Sequence, residues 1–113
     1  MSLSDHVPRL QALGFDGASI ESFASMWKLL EADSYEMYAI YTGADGSALE
    51  GKPACVVCSK KSFPLRWEKV ITPSQDSAAV YTVCTDCDAE YVDTAIRQKA
   101  LGRLLKERNT RPG

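Results

Sequence analysis

The chain has 113 residues, 45% of them apolar and 25% charged, with a net charge of −2. That is the composition of one ordinary soluble domain, and it excludes collagenous, low-complexity and wholly disordered chains. The longest run without Asp, Glu, Lys or Arg, Ser77–Thr85, is nine residues, against about 20 apolar residues for a membrane span. The N-terminal MSLSDHVPRL carries no signal-peptide pattern, so the expected location is cytoplasmic.

Charge is unevenly spread along the chain. Residues 1–54 sum to −5, residues 55–93 to −2 and residues 94–113 to +5. An acidic front and a basic tail suit different partners.

In chain order, Pro8–Leu13 reads as one or two helical turns ended by Gly14. Asp16 is placed to cap a second helix over Ala18–Ala32, where Ile20, Phe23, Trp27 and Leu30 recur at helical spacing and Met26 and Leu29 widen the stripe. Tyr35–Thr42 is aromatic and β-branched enough for a strand, although its periodicity also allows a longer helix. Gly43–Ser47 is a turn signal, and Leu49–Ala54 leads to the first cysteine. Phe63, Leu65 and Trp67 alternate with polar neighbours, so Phe63–Ile71 reads as a strand. Thr72–Ser77 is loop chemistry, and Ala78–Val83 is the returning strand of a hairpin. A helix is expected over Asp88–Lys106, with Val92, Ala95, Ile96, Ala100, Leu104 and Leu105 as its apolar stripe. Acids near its start and bases near its end suit the helix dipole. Gly102 weakens its interior by roughly 1 kcal/mol relative to alanine.

The four cysteines form two pairs, Cys55-Val-Val-Cys58 and Cys84-Thr-Asp-Cys87. A C-x-x-C turn presents two thiolates to one ion, and two such turns close a tetrahedron about 2.3 Å from each sulfur. Cys55, Cys58, Cys84 and Cys87 therefore read as ligands of a structural zinc ion, with iron chemically allowed in the same cage. Two disulfides require an oxidising compartment. A thioredoxin-like motif needs one C-x-x-C beside a βαβ unit rather than two matched pairs.

Knuckle, hairpin, knuckle and helix make a small α+β zinc-binding domain of treble-clef-like layout, preceded by a helical segment. The run Val80-Tyr81-Thr82-Val83-Cys84-Thr85-Asp86-Cys87-Asp88, opening an amphipathic helix, resembles the N-terminal zinc-binding domain of the ClpX unfoldase family. The likeness spans residues 55–107. Ser59 stands where that family commonly has glycine, the hairpin insert is longer, and residues 1–54 have no counterpart. The resemblance implies the four cysteine ligands, and a domain that dimerises and docks adaptors and substrates. The expected division is residues 1–54 as a helical and turn segment packed on the metal module, 55–107 as the module, and 108–113 as a flexible tail.

Four thiolates leave zinc no open position for catalysis. His6, the sole histidine, reads as an isolated surface side chain with no serine or cysteine partner. The expectation is a non-enzymatic protein-interaction or regulatory module, with Phe63, Trp67, Tyr81 and Tyr91, or the acidic Glu31 and Asp33, as candidate partner contacts. The acidic front as a whole (Asp16, Glu21, Glu31, Asp33, Glu36, Asp45 and Glu50) is also suited to docking a basic partner as an inhibitor. The alternative is a nucleic-acid-binding regulator that uses Arg97, Lys99, Arg103, Lys106 and Arg108. A sequence pI of about 5.3 weighs against that alternative.

Overall fold

A computed structural model describes residues 2–41, 55–56, 65–90 and 92–110. Helix α1 spans Leu3–Leu13 and begins earlier than the sequence suggests, with Pro8 in its interior. Its start is set by a capping box in which the Asp5 carboxylate accepts from the Ser2 backbone N–H at 2.8 Å. His6 and Leu10, one turn apart, are its buried residues. Gly14 ends it at φ 97°, a left-handed conformation that suits glycine.

Helix α2 spans Gly17–Ala32, and the Asp16 carboxylate accepts from the Ser19 N–H at 2.8 Å, as its N-cap role requires. Phe23, Trp27 and Leu30 are its buried stripe. Leu29, expected to widen that stripe, is instead 62% exposed.

Strand β1 covers Glu36–Ile40, β2 Leu65–Ile71 and β3 Ser77–Cys84. Sheet order is β1-β3-β2. β2 and β3 form the expected antiparallel hairpin, with Leu65 opposite Cys84 and Ile71 opposite Ala78. β1 pairs in parallel with β3, from Glu36 opposite Ser77 to Ile40 opposite Tyr81. All eight residues of β3 are buried, as expected for a central strand covered on both faces.

Helices α3 (Thr85–Glu90) and α4 (Asp93–Thr110) follow. The single helix expected over residues 88–106 is thus two. Ile96, Ala100 and Leu104, at successive turns, form the buried line of α4. Val92 precedes α4 and is 71% exposed, so it is no part of that line.

Two consecutive residues of β2 locate the layers, because neighbours on a strand point to opposite faces. Trp67 meets α2, donating its Nε1–H to Ser19 Oγ at 2.9 Å. Arg66 meets α4, its Nη2 lying 3.9 Å from the Asp93 carboxylate. The sheet is therefore sandwiched, with α1 and α2 on one face and α4 on the other. The front of the chain packs on the sheet through α2 and also supplies β1 to it. Residues 108–110 belong to α4. Arg108 lies within α4 and binds the hairpin tip, its Nη1 2.9 Å from the Asp76 carboxylate.

Candidate metal centre

Cys84 is the last residue of β3, and Cys87 lies in the first turn of α3. The turn between them brings the Cys87 backbone N–H to 3.5 Å from Cys84 Sγ. Cys55 arrives from a distant part of the chain. It is held beside β3 by its neighbour, since the Val56 N–H donates to the Thr82 carbonyl at 2.9 Å. The three Sγ atoms lie within 4.8 Å of one another. All three side chains are buried, at 0%, 4% and 5% exposure for Cys55, Cys84 and Cys87. Each is a thiol rather than half of a disulfide.

Tetrahedral thiolates about 2.3 Å from one metal ion stand roughly 3.8 Å apart. Sulfur separations of no more than 4.8 Å are compatible with that spacing, so these three residues are close enough to bind a metal ion. Cys58, the fourth expected ligand, lies outside the described residues, as do Phe63 and Tyr91.

The remaining candidate contacts divide by burial. Trp67 and Tyr81, named as candidate contacts, are core residues of this fold. Trp67 packs 4.8 Å from Phe23 and 5.2 Å from Phe15 between ring centroids. Tyr81 is fully enclosed, and burial, reinforced by the Glu68 carboxylate, pushes its phenol up to about 12. Glu31 and Asp33 are exposed at the end of α2, where Glu31 accepts from the Trp27 Nε1–H at 3.2 Å.

Among the bases of α4, Arg97, Lys99 and Lys106 are exposed. Arg103 is only 14% exposed and lies 3.6 Å from Glu107. Arg108 is engaged with Asp76 and, at 3.4 Å, with Ser77 Oγ. Hydrogen bonds from Ser74 and Thr72, with Arg108 adding to them, hold the Asp76 carboxyl down to about 2.

His6 is not an isolated surface side chain. It is 6% exposed, its Nδ1 lies 2.9 Å from Tyr41 Oη, and its ring centroid is 5.0 Å from that of Trp27 and 5.7 Å from that of Phe23. The signal that could have found it is the i, i+4 pair His6–Leu10 behind the Ser2/Asp5 cap, which Pro8 obscured. Among the described residues no helix is long and apolar enough to cross a membrane. No protein-family model, no curated protein and no solved structure matches the chain.

Proposed function

We propose that Cys55, Cys58, Cys84 and Cys87 hold one structural zinc ion and that the protein is a non-enzymatic interaction or regulatory module built around it. The observation that carries this reading is the convergence of three buried Sγ atoms within 4.8 Å from two distant parts of the chain. A C-x-x-C pair completes the set when Cys58 joins Cys55. Four thiolates saturate a tetrahedral ion, and the burial of Cys55, Cys84 and Cys87 keeps substrates and water away, which suits a folding role rather than catalysis. The chain order, from Cys55 through the β2–β3 hairpin to Cys84, Cys87 and helix α3, supports a treble-clef-like centre. The parallel strand β1 and the helices on the far face are additions to that layout.

Elemental analysis of the purified full chain tests the metal. One zinc per chain is expected, lost in Cys58→Ser and in Cys84→Ser. Full metal retention in both variants refutes the site. Capture from lysate then tests the interaction role. A defined protein partner, retained after nuclease treatment and released when the zinc is chelated, is the expected result.

A further inference from the structure

The sandwich segregates charge. The α1–α2 layer, from Ser2 to Asp33, carries Asp5, Asp16, Glu21, Glu31 and Asp33 against Arg9 and Lys28. On the opposite face, α4 carries Arg97, Lys99, Arg103, Lys106 and Arg108 against Asp93 and Glu107. The two helical layers stand roughly 20 Å apart, at about 10 Å per packed layer. Screening in physiological salt acts over about 8 Å. The acids of the α1–α2 layer therefore do not mask the basic helix, and the three acids of α3, Asp86, Asp88 and Glu90, precede its N-terminus rather than its lysine-bearing turns.

Within α4 the solvent face is more selective still. Opposite the buried line Ile96–Ala100–Leu104 lie Gln98, Gly102, Lys106 and Asn109, with Lys99 beside them, and all five are exposed. That face bears no carboxylate. The two acids of the helix are turned elsewhere, Asp93 toward Arg66 at 3.9 Å and Glu107 toward Arg103 at 3.6 Å. Lys99 and Lys106 make no ion pair among the described residues. A Cβ built on Gly102 would meet nothing within 4 Å. Packing inside the chain thus gives no reason for glycine there, where it weakens the helix. A glycine at the centre of an exposed face lets another molecule approach the helix backbone closely.

We propose that this face of α4 binds duplex DNA in the major groove, with Gly102 at the closest approach and Lys99 and Lys106 on phosphates. The B-form major groove is about 12 Å wide and admits a helix, whereas the A-form groove of duplex RNA is too narrow for side chains to read. Gln98 and Asn109 each offer a donor and an acceptor, the pairing that matches base edges. An acidic protein surface would call only for donors.

The test is fluorescence anisotropy of the full chain with a labelled duplex of roughly 20 base pairs, at about 50 to 200 mM salt. Micromolar binding that weakens as salt rises is expected, with a log–log slope of about −2 to −3 for two or three neutralised phosphates. The double change Lys99→Ala with Lys106→Ala should weaken binding at least about tenfold at low salt and reduce the slope by roughly two. Gly102→Ala should weaken binding while raising the melting temperature, which separates a lost contact from a lost fold. Glu21→Gln, on the opposite layer, should leave binding unchanged. The proposal is overturned if the duplex does not bind, if either α4 variant binds as the parent does, or if polyglutamate or single-stranded RNA competes as well as the duplex.

Discussion

His6 shows how one buried side chain ties the acid response of the protein to its packing. Burial leads in pushing its pKa down to about 4, the Arg9 guanidinium and the N-terminal amine push the same way, and Asp5 opposes them. Neutral imidazole fits the contact with Tyr41 Oη at 2.9 Å and the surrounding rings of Phe23 and Trp27. In the unfolded chain the same group titrates near its ordinary 6.5. Between these values the unfolded state holds more protons, so stability rises with pH. The contribution of His6 is complete above about pH 6.5 and is lost as pH falls toward 4. It is on the order of 3 kcal/mol on the usual 1.36 kcal/mol per unit. Asp76, held near 2, releases its own contribution at lower pH, so the two windows separate. His6→Gln keeps a polar group beside Tyr41 and removes the titration. Urea unfolding at pH 7 and at pH 4.5 should show His6→Gln losing less stability than the parent, any loss from thiolate protonation at the proposed metal site being common to both. Equal losses in both proteins refute the assignment.

At the level of elements, α4 sets apart residues that the sequence pattern groups together. Val92 and Leu104 both belong to the apolar stripe expected of one long helix. In the fold Leu104 is fully buried, whereas Val92 is 71% exposed in the break before α4. Leu104→Ala should therefore cost about 2–5 kcal/mol through the lost side chain and the cavity it leaves. Val92→Ala should fall within about 0.5 kcal/mol of the parent. Comparable losses in urea titration would mean that the helix runs unbroken through Val92. The same contrast marks what the sequence can and cannot say. The hairpin was legible, because Trp67 and its neighbours alternate and Thr72–Ser77 is rich in turn formers. Asp16 as a cap and Cys84 and Cys87 as a pair were legible from local chemistry and spacing. The break at residue 92 was not, since Val92 keeps the helical period of Ile96 and only tertiary packing sets it apart. β1 stayed ambiguous for a similar reason: its pattern fits either element, and its parallel pairing with β3 decides. The alternation around Trp67 marks one face of its strand as buried, whereas Tyr81 sits in a run with no such alternation. Their burial comes from helices packed on the two faces of the sheet, which no short window reports.

For the whole molecule, the position of the cysteine cluster decides how far the loss of a metal would spread. Cys84 ends the strand that runs through the middle of the sheet, and both helical layers pack on that sheet. Phe15 and Phe23 pack on Trp67 of β2, which pairs with Thr82 only two residues before Cys84. The two tryptophans, Trp27 and Trp67, lie in that aromatic cluster and not at the thiols. Structural zinc contributes on the order of 10 kcal/mol in small modules, comparable with the roughly 5–15 kcal/mol that holds a domain folded. Loosening one end of the central strand should therefore open both faces together. Chelation, or Cys87→Ser, is expected to abolish far-UV helicity and shift the emission of Trp27 and Trp67 over one coincident transition, with the melting temperature rising as zinc is added back. A chelated chain that keeps its buried tryptophan emission and loses only part of its helix would show instead that the α1–α2 layer folds independently of the cysteine end. The parallel pairing of β1 with β3 along five residue pairs argues against that independence. The front of the chain completes the sheet whose far end the thiols close, so neither part has a finished core without the other.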